Sequence, residues 1–158
     1  MIRKIKQSDK NILEGMLINI PSFTQDDVSV AMELINVTLN FKEQTDYNIF
    51  VYEENNKVLG YYCTGRRPLT DAVYDLYWIV VNINSQKKGI GKKLLEHAEN
   101  FVKDNKGRWL LIETSSMDIY KETRTFYLQN NFEIISRIND FYKLNDDLII
   151  YGKNYNKI

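Results

Sequence analysis

Between Val81 and Leu95 the chain reads VNINSQKKGIGKKLL. A strand-like apolar run ends there, two glycines stand one residue apart, and four lysines gather with no acid among them. A helical pattern then begins. Glycines between a strand and a helix suit anion binding, because the backbone can approach a phosphate and the first helical amides are unsatisfied. A plain turn carrying solvated lysines is the alternative. Two phosphate motifs fail on this stretch. If Gly91-Lys92 were the Gly-Lys pair of a Walker A loop, Gln86 would stand at its first glycine and Lys93 at its hydroxyl. A dinucleotide fingerprint finds Gly89 and Gly91 but meets Leu94 where its third glycine belongs. The single cysteine, Cys63, and single histidine, His97, exclude an internal disulfide and a structural zinc site. Cys63 is expected as a packed thiol in a strand, and His97 as a surface residue of a helix.

Elements must hold these residues in place. The 158 residues suit one domain, 1–158, and 44% hydrophobic content supports a globular core without disulfides. Acids and bases balance at 21 each, which gives no case for nucleic acid as a partner. No apolar run approaches the roughly 20 residues of a membrane span. The opening MIRKIKQSDKN is too polar for a signal peptide, so a cytoplasmic protein is expected. Periodicity predicts an edge strand at 2–5, a helix at 8–18 capped by Ser8 or Asp9, and a helix at 25–41 opened by Asp26 and Asp27. Strands at 48–52 and 58–64 read as a hairpin, and Tyr74–Val81 as a central strand covered on both faces. A helix from Ile90 to about Val102, closed at Gly107, leads to a strand at 109–112. A helix at 119–130 and strands at 132–138 and 148–151, joined by 139–147, complete the chain. The order β-α-α-β-β-β-α-β-α-β-β is α+β. It implies a mixed, mainly antiparallel sheet of about seven strands flanked by about four helices, with a β-α-β crossover at the fourth and fifth strands.

Gln86-Lys87-Lys88-Gly89-Ile90-Gly91 satisfies a third pattern, Gln/Arg-x-x-Gly-x-Gly/Ala. Thr123-Arg-Thr-Phe-Tyr-Leu-Gln-Asn-Asn-Phe132 is similar to A-x-x-F-Y-x-x-x-G-F, with Thr123 for the alanine and Asn131 for the glycine. On these motifs and the order of its elements, the chain resembles the GNAT superfamily of acetyl-coenzyme A-dependent N-acetyltransferases over essentially its whole length. DLYWIVV at Asp75–Val81, ETSS at Glu113–Ser116 and the DFY, DD and IY pairs at Asp140–Tyr142, Asp146-Asp147 and Ile150-Tyr151 resemble an uncharacterised prokaryotic subgroup.

The resemblance implies acetyl-CoA as co-substrate and no metal. It implies that the loop from Gln86 through Lys87, Lys88, Gly89, Ile90 and Gly91 to Lys92 grips the pyrophosphate, and that Phe126 lies near it. The fourth strand would splay from the fifth and present the backbone of Ile79, Val80 and Val81 to the pantetheine. Tyr127 falls where the family commonly has a tyrosine that protonates the departing sulfur. An acceptor amine must first lose a proton, since its pKa is about 10.4. Asp75, eleven residues before Gln86, is the expected base. Glu113 is its rival, and a reaction without a protein base is the third option. Simple alternation places Asp75, Tyr77, Ile79 and Val81 on one face of their strand. The expected reaction is direct attack by a primary amine, on a small molecule, in a ternary complex. A coenzyme A-binding module without catalysis and acetylation of a protein amine are the alternatives; a nucleotide-binding protein is a third. The protein is expected as a monomer or homodimer. Asp75, Glu113 and Asp140 are candidates for an acidic acceptor side, Tyr74 or Tyr77 for its lining, and residues 8–41 and 132–151 for specificity.

Overall fold

The expected order of strands and helices holds along the chain. The structure, a computed structural model, describes residues 1–156. Its strands are β1 (Ile2–Lys4), β2 (Asn48–Glu54), β3 (Lys57–Arg66), β4 (Val73–Val81), β5 (Trp109–Ser115), β6 (Glu133–Lys143) and β7 (Asp146–Asn154). Its helices are α1 (Lys10–Ile18), α2 (Gln25–Asn40), α3 (Ile90–Asp104) and α4 (Lys121–Gln129). The strands form one sheet in the order β1-β2-β3-β4-β5-β7-β6. Only β4 and β5 pair in parallel, as the crossover through α3 requires.

Alternation along the strands sorts side chains into two cores. Phe50, Tyr62, Leu110 and Ile112 face α3 and α4, where Leu94, Ala98 and Tyr127 meet them. Val51, Tyr61 and Cys63 face the other way, onto Leu13, Leu17 and Ile35 of α1 and α2. Two left-handed asparagines, Asn55 and Asn56, make the tight β2–β3 turn. Thr24 caps α2 and shares a reciprocal capping box with Asp27. Asp9 does not serve α1 in the expected way: its carboxylate accepts from Arg3 at 2.7 and 3.0 Å and from the Lys6 amide at 2.8 Å. The left-handed residue after α3 is Lys106, not Gly107. Gly107 is required for space, since a Cβ there would lie 2.8 Å from the Val102 carbonyl. Among the described residues, no helix is long and apolar enough to cross a membrane, and no group of three or more His, Cys, Asp or Glu could hold a metal ion.

Two departures matter for the site. β4 pairs with β5 only from Val73 to Asp75, although both strands continue. β4 also carries a bulge. Leu76 opposes Thr64 and Trp78 opposes Cys63, so Tyr77 is an extra residue. The bulge overturns the single-face reading of Asp75, Tyr77, Ile79 and Val81. Ile79 and Val81 pack with Leu76 toward α3, whereas Tyr77 packs with Trp78 and Val80 toward α1 and α2. A bulge raises local twist and bends its strand, which suits the parting of β4 from β5.

The last hairpin is longer than expected: β6 and β7 run through 139–147 and turn at Leu144 and Asn145. Asp140 at φ 51° breaks the pairing there, which hides the strand period. The ETSS and DD segments lock this hairpin to β5. Ser115 Oγ donates to Asp146 at 2.5 Å, and the Asp147 amide donates to Ser116 Oγ at 2.8 Å. Asp147 accepts from the Asp140 amide at 2.9 Å and from Arg137 Nε at 2.6 Å. The Asp140 amide, then Arg137, holds the Asp147 carboxyl below its ordinary value. A depressed carboxylate contributes stability that is lost as pH falls through its folded pKa. Asp147→Asn is therefore expected to lower the Tm at pH 7, with the gap to wild type closing in acid. A constant gap across a pH series of thermal melts would contradict this.

Candidate active site

The glycine loop leaves backbone amides at a helix start without partners in the helix ladder. Asn82 caps a short turn at Ile83–Ser85, and Gln86 is extended. Lys87 and Gly89 then adopt left-handed φ values of 61° and 78°. α3 begins with no side-chain cap and no acid in its first turn. Its first ladder bond runs from the Lys93 amide to the Gly89 carbonyl at 3.1 Å, which leaves the amides of Ile90, Gly91 and Lys92 outside the helix ladder. A Cβ on Gly89 would meet nothing within 4 Å. One on Gly91 would fill a cradle, 3.6 Å from Phe126 Cζ and 3.7 Å from Val81 Cγ2. These residues line a groove of about 460 Å³ with Ile79, Gln86, Lys87 and Lys92. An uncapped, acid-free helix start beside two lysines fits a diphosphate.

The four lysines divide. Lys87 and Lys92 line the groove. Lys88 folds back, its Nζ 3.3 Å from the Asn84 carbonyl, and Lys93 lies over the Tyr52 ring at 5.4 Å. Gly89→Val is expected to raise the KM for acetyl-CoA about tenfold, because a β-branched residue resists φ 78°. Steady-state kinetics at fixed acceptor would test it, and an unchanged KM would contradict it.

A second cavity, of about 430 Å³, opens on the other side of β4. The two share Ile79, Val81, Gln86, Glu122, Thr123 and Tyr127. The free edge of β4 thus runs between two chambers, and Tyr127 borders both. Tyr127 is 4% exposed, held among Phe126, Phe132 and Tyr151 with ring centroids 5.6–6.1 Å away. Burial pushes its phenol well above the ordinary tyrosine range. Val80 points away from the groove into the α1–α2 core, so it can reach the groove only through its backbone.

The acids converge on a residue absent from the expectations. Arg67, in the loop after β3, donates through Nε to both oxygens of Asp75 at 3.0 Å. Its Nη2 donates to Glu113 Oε1 at 2.9 Å. Asp75, Glu113, Arg67 and Tyr77 enclose a small cavity of about 120 Å³. Glu113 also lines the 430 Å³ chamber, whereas Asp75 lines neither large cavity. Burial pushes the Asp75 carboxyl up, and the Arg67 hydrogen bonds only partly offset it. Asp140 does not join them: it accepts from the Asn145 amide at the hairpin turn.

The segments expected to set specificity contribute unequally to the 430 Å³ chamber. Ile20 to Phe23, from the α1–α2 connection, line it. The last hairpin contributes none of its lining; the segment 119–123 does instead. Tyr77 lines it, while Tyr74 packs on Phe101. Tyr120 donates its hydroxyl to the Ser22 carbonyl at 2.9 Å and ties the two walls. His97 is half-buried, with Tyr62 Oη 2.7 Å from its Nδ1, and burial lowers its pKa. Cys63 is buried, as expected of a packed thiol.

The family model described as an acetyltransferase (GNAT) domain matches residues 45–134. A GNAT-family protein from Desulfovibrio desulfuricans, assigned as an acetyltransferase, superimposes with a TM-score of 0.94 at 32% identity, covering 98% of each chain. An aminoglycoside 6'-N-acetyltransferase complexed with coenzyme A shares the fold at TM-score 0.75 and 15% identity, covering 98% of this chain and 96% of its own. So does the ribosomal-protein-S18-alanine N-acetyltransferase from Escherichia coli, at TM-score 0.76 and 17% identity, covering 98% and 92%. Comparison with curated protein sequences finds no match. The matched domain and the whole-length likeness agree with the uncapped glycine loop and the parted strands: the chain belongs to the GNAT family of acetyltransferases.

Proposed function

We propose that residues 1–158 act as a single domain that transfers an acetyl group from acetyl-CoA to a primary amine on a small molecule. The observation that carries this reading is the pair of chambers sharing Tyr127 and the free edge of β4. Acetyl-CoA, when bound, supplies an activated thioester. The loop from Gln86 to Lys92 holds its diphosphate through backbone amides, with Lys87 and Lys92 adding charge and Phe126 a groove wall. The backbone of Ile79 to Val81 receives the pantetheine, and an amide of that edge donates to the thioester carbonyl. The layout supports direct attack, because both substrates can reach the same strand edge at once.

Glu113 faces the acceptor chamber and accepts the amine proton, directly or through one water. Asp75 stands behind it and positions Arg67. Tyr127 donates a hydrogen bond to the sulfur as it leaves. The ammonium first gives one proton to Glu113; the N–C bond then forms as the C–S bond breaks, and the second proton, shed by the acylated nitrogen, ends on the departing thiolate, so that free thiol leaves. An amine-panel assay with thiol release tests the proposal. Amine-dependent release and an acetylated product are expected. Binding of acetyl-CoA with no turnover across small primary amines would overturn it.

A further inference from the structure

The chamber that receives the acceptor has a composition of its own. Its walls are divided: Ile20, Pro21, Phe23, Trp78 and Ile119 form an apolar side, and Ser22, Glu113, Thr114, Tyr120, Glu122 and Thr123 a polar one. Phe23 and Trp78 stand 5.1 Å apart at 60°, which leaves an aromatic corner against which a flat group can pack. Among the described residues, no lysine or arginine lines it, and its carboxylates are Glu113 and Glu122. Glu122 also borders the glycine-loop groove and lies 3.9 Å from Lys87. Glu113 remains as the one acid at the acceptor end. Arg67 engages only its Oε1, so a second oxygen is open to a donor. The volume of about 430 Å³ lies toward the small end of ligand pockets.

From this we infer that the acceptor is a compact monoamine with a flat apolar body, its ammonium group at Glu113 and its body against Phe23 and Trp78. The inference rests on the acetyl-transfer reading above and narrows its substrate class. One ammonium finds one carboxylate, with Tyr77 lining the same cavities as Glu113. A polycation would find only Glu122, at the glycine-loop end of the chamber, for a second charge, and would bring its remaining charges against Ile20, Pro21 and Phe23. The Tyr120–Ser22 hydrogen bond fixes the wall that carries Phe23, so the apolar corner is pre-formed.

Full-length enzyme is assayed for kcat/KM with 2-phenylethylamine, n-butylamine, spermidine, an aminoglycoside and a short peptide with a free α-amine. Calorimetry with the coenzyme A-loaded protein measures binding of the same amines. The expected result is that 2-phenylethylamine exceeds spermidine, the aminoglycoside and the peptide by about tenfold or more. Phe23→Ala should raise its KM about tenfold, raise that of n-butylamine by less, and leave that of acetyl-CoA nearly unchanged. Phe23→Leu keeps the volume without the ring and should give the same ranking if the alanine variant folds poorly. Preference for spermidine, the aminoglycoside or the peptide would overturn the acceptor class while acetyl transfer stands. Binding of 2-phenylethylamine that depends on Phe23, without turnover, would support the pocket and overturn the transfer reading. Neither binding nor turnover of 2-phenylethylamine would overturn the inference.

Discussion

Tyr127→Phe is expected to lower kcat between about 10- and 100-fold while the KM for acetyl-CoA stays within about twofold. The magnitude follows from the kind of bond lost. Burial pushes this phenol above its ordinary value, whereas an ordinary thiol has a pKa of about 8.5. Full proton transfer from Tyr127 to a departing thiolate would therefore run uphill. A hydrogen bond to the developing charge does not, and bonds to charged groups are worth about 1.5–3 kcal/mol. The raised pKa also keeps the donor protonated throughout the working pH range, so kcat should show no alkaline limb from Tyr127. The substitution keeps the ring among Phe126, Phe132 and Tyr151, so the fold should survive. Full turnover in the variant, with an unchanged Tm, would reduce Tyr127 to a packing residue.

The parts of this site that could be read in advance are those written within a few residues of one another. Gln86, Gly89 and Gly91 share one turn, and their spacing alone excludes two other phosphate motifs. Asn131, which stands where the resembled motif has glycine, takes a left-handed φ of 63°. What escaped depends on distance or on a single inserted residue. Arg67 meets Glu113 across 46 positions of sequence, and no local pattern marks it. Tyr120 meets Ser22 across 98. The bulge at Tyr77 is visible only against β3, because it exists as a mismatch between two strands. That one extra residue moved Ile79 and Val81 to the opposite face from Tyr77. It thereby gave β4 two lined sides, the groove with Ile79 and Val81 and the 430 Å³ chamber with Tyr77 and Trp78 as well, a division that alternation along β4 alone would have erased.

That division decides between the two acids, and the second large effect follows from it. Glu113→Gln is expected to lower kcat/KM about 100-fold, with most of the loss in kcat. Asp75→Asn is expected to cost about tenfold or less, since it acts through Arg67. Asp75 gives both oxygens to Arg67 Nε and lines neither large cavity. Glu113 gives Arg67 one oxygen and borders the acceptor chamber. Burial raises the Asp75 carboxyl, but both its oxygens face Arg67 and neither chamber reaches it, whereas Glu113 has a free oxygen at a chamber wall and can take a proton from an amine or a water. Asp75 nevertheless has work to do. Without its charge Arg67 loses one of two partners and is free to claim the open oxygen of Glu113, which would compete with the amine. Asp75→Asn should therefore raise the acceptor KM more than it lowers kcat, and the acetyl-CoA KM should not move. The pair of variants separates the roles in one experiment. If Asp75→Asn costs as much in kcat as Glu113→Gln, the base is Asp75, and the acid at the chamber wall only attracts the ammonium.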